Sequence, residues 1–133
     1  MLRLRPLLAG ALAVAAVACG GHPSPDDAAF HSDVVGAKAG VEVTFDGTVV
    51  GEPQQVGGHE HLVVSAATGE RVEVDHNTSL APWVPAHSGS SVVVSGQLYI
   101  DPGPRVGVHC THAHTSRGCP VPGFVELAGQ YYE

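Results

Sequence analysis

The sequence predicts an all-β protein, a small OB-like Greek-key β-barrel of five to six strands. From residue 40 onward, short segments rich in valine alternate apolar and polar residues, and turn residues separate them. No helical period of useful length competes with this alternation. Residues 80–85 contain two prolines and so predict a crossing loop or one turn of helix rather than a central strand. A small open β-sandwich is the alternative architecture.

The N-terminal residues predict export. Arg3 and Arg5 precede an uncharged apolar run over residues 7–18, which matches a secretory signal and is too short to span a bilayer. The run ends in the letters AVAC, which resemble a bacterial lipobox, where cleavage precedes a cysteine that receives lipid. We therefore expect lipidation at Cys19 and a location in the cell envelope. Conventional cleavage and secretion is the alternative.

This processing divides the chain into three parts. They are a lipoprotein-type signal peptide (1–18), a segment with the anchor cysteine, a polar tether and a short helix (19–39), and the barrel domain (40–133). Asp26 or Asp27 is placed to cap the short helix, and Gly36 is placed to end it.

Alternation predicts the strands of the barrel in order. They cover residues 41–45 continuing through 48–50, 60–66, 71–76, 91–100, 105–112, 123–127 and 130–132. Residues 67–70 predict a tight hairpin turn. The sequence Asp-Pro-Gly-Pro at 101–104 suits a type II turn, which returns the long strand.

The charge balance argues against nucleic acid as a partner. Without the signal peptide, four basic side chains remain against thirteen acidic ones, so the formal charge becomes −9 instead of the −7 of the whole chain. Such a surface repels phosphate backbones and lacks the basic groove of single-strand binders. We expect no nucleic-acid partner, membrane attachment through the lipid alone, and a small ligand or an envelope partner.

Cys110 and Cys119 predict a disulfide. With Cys19 lipidated, they are the remaining thiols of a chain with three cysteines, in an oxidising compartment. Their bond would close a loop of about ten residues and stabilise the domain by roughly 2–3 kcal/mol. The pairing also removes both sulfurs as zinc ligands.

The chain has nine histidines, and strand alternation assigns several of them to faces. His76 and His112 each fall at the end of an apolar strand face, so we expect both to lie half buried at one mouth of the barrel. His109 falls on the opposite face of its strand. The pattern leaves open whether His61 or Glu60 faces the core.

Imidazole groups that converge with an open position would suit a divalent transition metal such as zinc or copper(II). The predicted ligands are His76 and His112 with one of His61, His109 or His114, and the supporting side chains are Asn77, Glu60 and Asp75. The competing interpretation is structural, with His76 and His112 hydrogen-bonded to their neighbours so that they lock a loop.

Three functions follow from these residues. The first is a ligand-binding module with a histidine-lined site that holds a metal. The second is a metal-assisted hydrolase in which Glu60 or Asp75 is the base for a metal-bound water. The third is a structural or envelope-interaction protein without a small ligand. The HEH sequence at residues 59–61 is not the zinc-protease motif, because its histidines stand two residues apart rather than four.

Four segments together resemble a bacterial family of small secreted or lipid-anchored proteins known as a domain of unknown function. The segments are HEHLVV (59–64), VDHNTSLAPWVP (74–85), GQLYIDPGPRVGVHCTHAH (96–114) and GFVELAGQYY (123–132). The family has no assigned activity, so the resemblance implies a domain definition that covers nearly all of the mature chain.

The resemblance also bears on the histidines. The family motif His-Trp-Thr-His places His109 and His112 on family positions, and its His-Asn pair places His76 and Asn77. Cys110 stands where the family has tryptophan, which implies that the disulfide is a local elaboration.

Overall fold

The computed structural model describes residues 21–133, so the predicted signal peptide and Cys19 lie outside the described residues. The described chain contains one helix and eight strands. These are α1 (Asp27–Val35), β1 (Glu42–Val49), β2 (Gln54–Val56), β3 (His59–Ala66), β4 (Arg71–Asn77), β5 (Ser91–Asp101), β6 (Arg105–His109), β7 (Phe124–Leu127) and β8 (Gln130–Tyr132). No helix within residues 21–133 is both long enough and apolar enough to cross a bilayer.

Five strands close into a barrel. They follow one another around the ring in the order β1, β3, β4, β6, β5, and β5 pairs back to β1 over seven residue pairs. The β4–β6 pair is parallel and the other pairs of the ring are antiparallel. This connectivity is that of an OB-like Greek-key barrel, so the predicted small β-barrel is confirmed and the open sandwich is not adopted.

The core fills the inside of the ring because alternate residues of every strand point inward. In β1 the buried residues include Val43, Phe45 and Val49, and in β4 they are Val72, Val74 and His76. The crossover over residues 78–90 contributes Val84, which is fully buried. As predicted, this Pro-rich stretch forms no strand.

Helix α1 packs against β1 through two stacked rings. Phe30 is 1% exposed and lies over Phe45 with ring centroids 4.2 Å apart. The helix starts where the sequence predicts, because the Asp26 carboxylate accepts a hydrogen bond from the Ala29 backbone N–H at 2.9 Å. It ends before Gly36, also as predicted.

The segment before α1 is docked on the barrel, although its composition predicts a free tether. His22 stacks on Tyr131 at 3.7 Å between ring centroids and meets Phe124 edge-on at 4.9 Å. The Asp26 backbone N–H then donates to the Thr44 carbonyl at 2.9 Å. Aromatic stacking therefore orders a stretch whose glycine, proline and serine content had predicted flexibility.

Two strands differ from their predictions. The short β2, which pairs with β3 and is exposed throughout, was not predicted because its three residues carry no alternating pattern. The strand predicted over 105–112 ends at His109 instead. Cys110 has φ of +58°, a left-handed conformation that breaks the ladder and the alternation with it.

The predicted disulfide between Cys110 and Cys119 is present. It closes a loop with a sequence separation of nine, and the Gly123 backbone N–H then donates to the His112 carbonyl. A Cβ at Gly123 would lie 2.1 Å from the Cys110 carbonyl oxygen, so only glycine allows the chain to return this close to Cys110.

Removing the disulfide should lower the stability of the barrel. We expect the double variant Cys110→Ala/Cys119→Ala to lose roughly 2–3 kcal/mol of unfolding free energy, because the unfolded chain regains the entropy of the open loop. Urea unfolding of the variant, and of the native protein under reducing conditions, measures this. Equal urea midpoints for the native oxidised protein and the double variant would contradict the expectation.

Candidate functional site

The barrel wall separates the predicted site residues into two groups. In β3, Glu60 is fully buried with Leu62 and Val64, so His61 on the same strand points outward. This settles the face that the sequence pattern left open. His76 is 0% exposed and His112 is 3% exposed, so both are buried rather than half buried as predicted.

The outward group forms a row across four neighbouring strands. His61 of β3 pairs with Asp75 of β4, and Gln97 of β5 pairs with His109 of β6. In the parallel β4–β6 pair Glu73 faces Gly107, so Asp75 and His109, two residues further along each strand, come next to each other on the same face. We call His61, Asp75, Gln97, Tyr99 and His109 the outer-face cluster.

Asp75 is the hydrogen-bonding centre of this cluster. Its Oδ1 accepts from His61 Nδ1 at 2.9 Å, and its Oδ2 accepts from the Tyr99 hydroxyl at 2.6 Å. Tyr99 reaches Asp75 across β6 because the intervening residue is glycine. A Cβ at Gly107 would lie 2.0 Å from the Tyr99 ring, so the ring occupies the space that any other side chain would take.

His109 is hydrogen-bonded to Gln97 of β5, the strand on the other side of β6 from β4. Its Nε2–H donates to Gln97 Oε1 at 3.0 Å, and its ring meets Tyr99 edge-on at 5.4 Å. Asn77, predicted as a supporting ligand, instead turns back on its own chain, where its side-chain oxygen accepts from the Ser79 backbone N–H at 2.9 Å. Its observed contact is therefore to the start of the crossover.

The hydrogen bonds set the electrostatics of the cluster. Burial alone would raise the pKa of Asp75, but the hydrogen bonds from Tyr99 and His61 and the nearby His59 outweigh it, so the pKa lies below its ordinary value. Burial lowers the pKa of His109, and the Asp75 carboxylate offsets part of that. Burial and the adjacent Asp75 both raise the pKa of Tyr99. Asp75 is thus an ionised acceptor and Tyr99 a neutral donor at neutral pH.

The inward group is Glu60, His76, Thr111 and His112, which we call the interior cluster. His76 Nε2–H donates to the Pro82 carbonyl at 2.9 Å, so in the neutral ring Nδ1 accepts from the Thr111 hydroxyl at 2.8 Å. Burial lowers the pKa of His76. Both ring nitrogens are used to fasten the crossover and the chain after β6, which matches the structural interpretation of His76.

Thr111 is buried, although strict alternation over the predicted strand 105–112 places it on the outward face with His109. The left-handed Cys110 ends the strand and its alternation, and Cys110, Thr111 and His112 are all buried. His112 Nδ1–H donates to the His114 carbonyl at 2.7 Å, which shapes the disulfide loop. The side chain of His114 is exposed.

Glu60 is an unusual member of the interior cluster because its carboxyl group is incompletely paired. Its Oε2 accepts from the Val84 backbone N–H at 2.7 Å, and its Oε1 has no hydrogen-bond partner among residues 21–133. Burial raises the pKa of Glu60 to about 7, although the Val84 hydrogen bond acts in the opposite direction. A general base in an open site must meet solvent or substrate, whereas Glu60 is 0% exposed.

The four histidines predicted as metal ligands do not come together. His61 and His109 lie outside the barrel wall, and His76 and His112 lie inside it. Within residues 21–133 no three histidine, cysteine, aspartate or glutamate side chains are arranged to hold a metal ion. The physical reason is strand alternation, which sends residues one apart in sequence, such as Asp75 and His76, to opposite faces.

Sequence reasoning missed Gln97 and Tyr99. Both lie on the outward face of β5, and the alternation of that strand could have placed them there. What it could not give is the register of β5 against β6, which puts Tyr99 opposite Gly107 and Gln97 opposite His109.

A scan against protein-family models finds no match for this chain. A search of curated proteins likewise finds no significantly similar sequence. The resemblance to a bacterial family of unknown function therefore stays a prediction.

The raised pKa of Glu60 predicts a stability that depends on pH. A carboxyl group whose pKa is higher in the folded state stabilises the fold below its unfolded pKa of 4.5 and loses that contribution as pH rises through about 7. We expect the native protein to lose about 3 kcal/mol relative to Glu60→Gln between pH 4 and pH 8. Titration of His76 occurs in both proteins and cancels in the difference.

Chemical denaturation of both proteins across this pH range measures the effect. Glu52→Gln is the control of opposite sign, because hydrogen bonds from His87 and Ser88 lower the pKa of this exposed carboxylate, so its contribution is lost as pH falls rather than as pH rises. If the unfolding free energies of the native protein and Glu60→Gln change in parallel with pH, the pKa of Glu60 is not raised in the folded state.

Proposed function

We propose that this protein is an exported, lipid-anchored binding module whose ligand lies on the outer-face cluster. One observation carries the proposal. His61, Asp75 and Tyr99 form a hydrogen-bonded unit on the outside of the barrel, and this unit is not part of the buried core. The side chains of His61 and Asp75 are 27% and 34% exposed, so the unit is ordered and still open to a ligand. Ordered polar groups on a rigid strand scaffold reduce the entropy cost of binding.

The hydrogen bonds within the cluster determine which acceptor atoms are left free to bind a ligand. His61 donates through Nδ1, so its neutral ring offers Nε2 as an acceptor, and His109 likewise offers Nδ1. The ionised Asp75 adds carboxylate acceptors, and the Tyr99 ring adds a flat apolar surface. A face rich in acceptors beside an aromatic ring fits a ligand that brings many hydroxyl donors. We infer an oligosaccharide or a similarly polyhydroxylated ligand.

Fold analogy and charge agree with this inference. The outer faces of the second and third strands of OB barrels bind oligonucleotides or oligosaccharides, and here the corresponding strands are β3 and β4. The analogy is one of architecture alone. Between those two ligand classes, the acidic balance of the chain, with 6 basic and 13 acidic residues, disfavours the phosphate-bearing one.

The outer-face proposal is tested by histidine substitutions. Binding of neutral oligosaccharides, measured by calorimetry and by amide shifts in NMR spectra, should weaken about tenfold in His61→Ala and in His109→Ala, since each loses a buried hydrogen bond to the ligand. His87→Ala is the matched control, because His87 is an exposed histidine paired with Glu52. Binding should also fall in acid, once His109, whose pKa lies below its ordinary value, is protonated and its free Nδ1 becomes a donor.

Absence of binding across a broad neutral-glycan panel, or shifts confined to residues away from β3, β4 and β6, would overturn the proposal.

A hydrolase is the second candidate, because His61 is oriented by Asp75 as a general base would be. Turnover of ester or glycoside substrates that disappears in His61→Ala and persists in His87→Ala would favour catalysis over binding.

Export and anchoring are supported by the N-terminal sequence, with Arg3 and Arg5, the apolar run and Cys19. In a bacterial expression host, labelled fatty acid should be incorporated into the native chain and not into Cys19→Ser. Label that persists in Cys19→Ser, or a mature chain found free of lipid, would contradict the anchor.

A further inference from the structure

A cavity of about 670 Å³ lies between the N-terminal segment, β1, β5 and the chain that leads into β7. Pockets for small molecules have volumes of about 300–1,000 Å³. One wall is the docked segment around His22, which stacks on Tyr131. The lining of this groove is distinct from the interior cluster and contains no residue of the outer-face cluster.

The floor and sides of the groove are largely apolar. Phe124 lies at the base and is 2% exposed, while Val121 on the rim is 43% exposed. The polar part of the floor is a pair of hydroxyl groups, Thr44 Oγ1 and Ser95 Oγ, which are hydrogen-bonded to each other at 2.9 Å. A ligand with an apolar body would therefore replace solvent along most of this surface.

The lining carries two carboxylates together with the titratable imidazole of His22. Glu42 and Glu133 both line the groove, and no lysine or arginine among residues 21–133 does so. His22 Nε2–H donates to Glu133 Oε2 at 2.7 Å, which holds the Glu133 carboxylate at the groove wall. Burial raises the pKa of Glu42, and a side-chain hydrogen bond from Gln97 offsets only part of this. Glu42 is an exposed residue, so its carboxylate is accessible to a ligand that enters the groove.

We propose that this groove binds a small organic cation, with its ammonium group at Glu42 and Glu133 and its apolar body along Phe124 and Val121. Two carboxylates give charge complementarity without a competing lysine or arginine, and the apolar floor gives affinity that a bare metal ion would not gain. The site is independent of the outer-face proposal, so either can fail alone.

The test compares three probes of the same shape: benzylammonium, benzyl alcohol and benzoate. Amide shifts of the full-length, isotope-labelled protein in neutral detergent locate each probe and give its Kd. We expect benzylammonium to bind at the groove at least about tenfold more tightly than benzyl alcohol, with benzoate weakest, as charge complementarity requires.

The variants separate charge from shape. Glu42→Gln should weaken benzylammonium about fivefold or more and leave benzyl alcohol unchanged, whereas Glu52→Gln removes an exposed carboxylate outside the groove and should leave both unchanged. Val121→Trp should exclude all three probes by filling the groove. The spectra of each variant report its folding directly.

Equal affinity for the ammonium and the alcohol would overturn the proposal, and so would benzylammonium binding that is insensitive to Glu42→Gln in a folded variant. Shifts that map outside the groove, or no shift at saturating probe, would also overturn it.

Discussion

Strand β5 is hydrogen-bonded along both edges, and this double pairing holds the barrel closed and sets the register of β6 and β7. One edge pairs with β1 over residues 91–97, which closes the barrel. The other edge pairs with β7 over residues 92–95 and with β6 over residues 97–101. Because side chains alternate with a period of two, a slip of one residue in β5 would exchange its inward and outward faces and break three registers together.

The closed wall gives two chemical environments to residues that adjoin in sequence. Glu60 and His61, or Asp75 and His76, are neighbours along the chain, yet one of each pair is sealed in the core and the other is open. Inside the barrel an unpaired polar atom is destabilising. Both ring nitrogens of His76 are therefore hydrogen-bonded, one to Pro82 in the crossover and one to Thr111 after β6. Outside, water compensates unused acceptors, and the same residue types remain available for a ligand.

The outer-face cluster and the groove beside the N-terminal segment are neighbours through one residue of β5. Gln97 accepts a hydrogen bond from His109 through Oε1 and lies opposite Glu42, which lines the groove. Its amide thus lies between a face rich in hydrogen-bond acceptors and a groove rich in carboxylates. This arrangement follows from β5 being the shared strand, since Gln97 is opposite Glu42 in β1 and opposite His109 in β6.

Alternation, capping and cysteine partition are local signals, and from them the sequence predicts the all-β barrel, the short capped helix and the Cys110–Cys119 bond. Which histidines meet depends on tertiary packing. Predicting a shared site for His61, His76, His109 and His112 required the face of β3 and the end of β6, and neither is a local property. Core packing set the first, burying Glu60 with Leu62. The left-handed Cys110 set the second, turning Thr111 inward to His76.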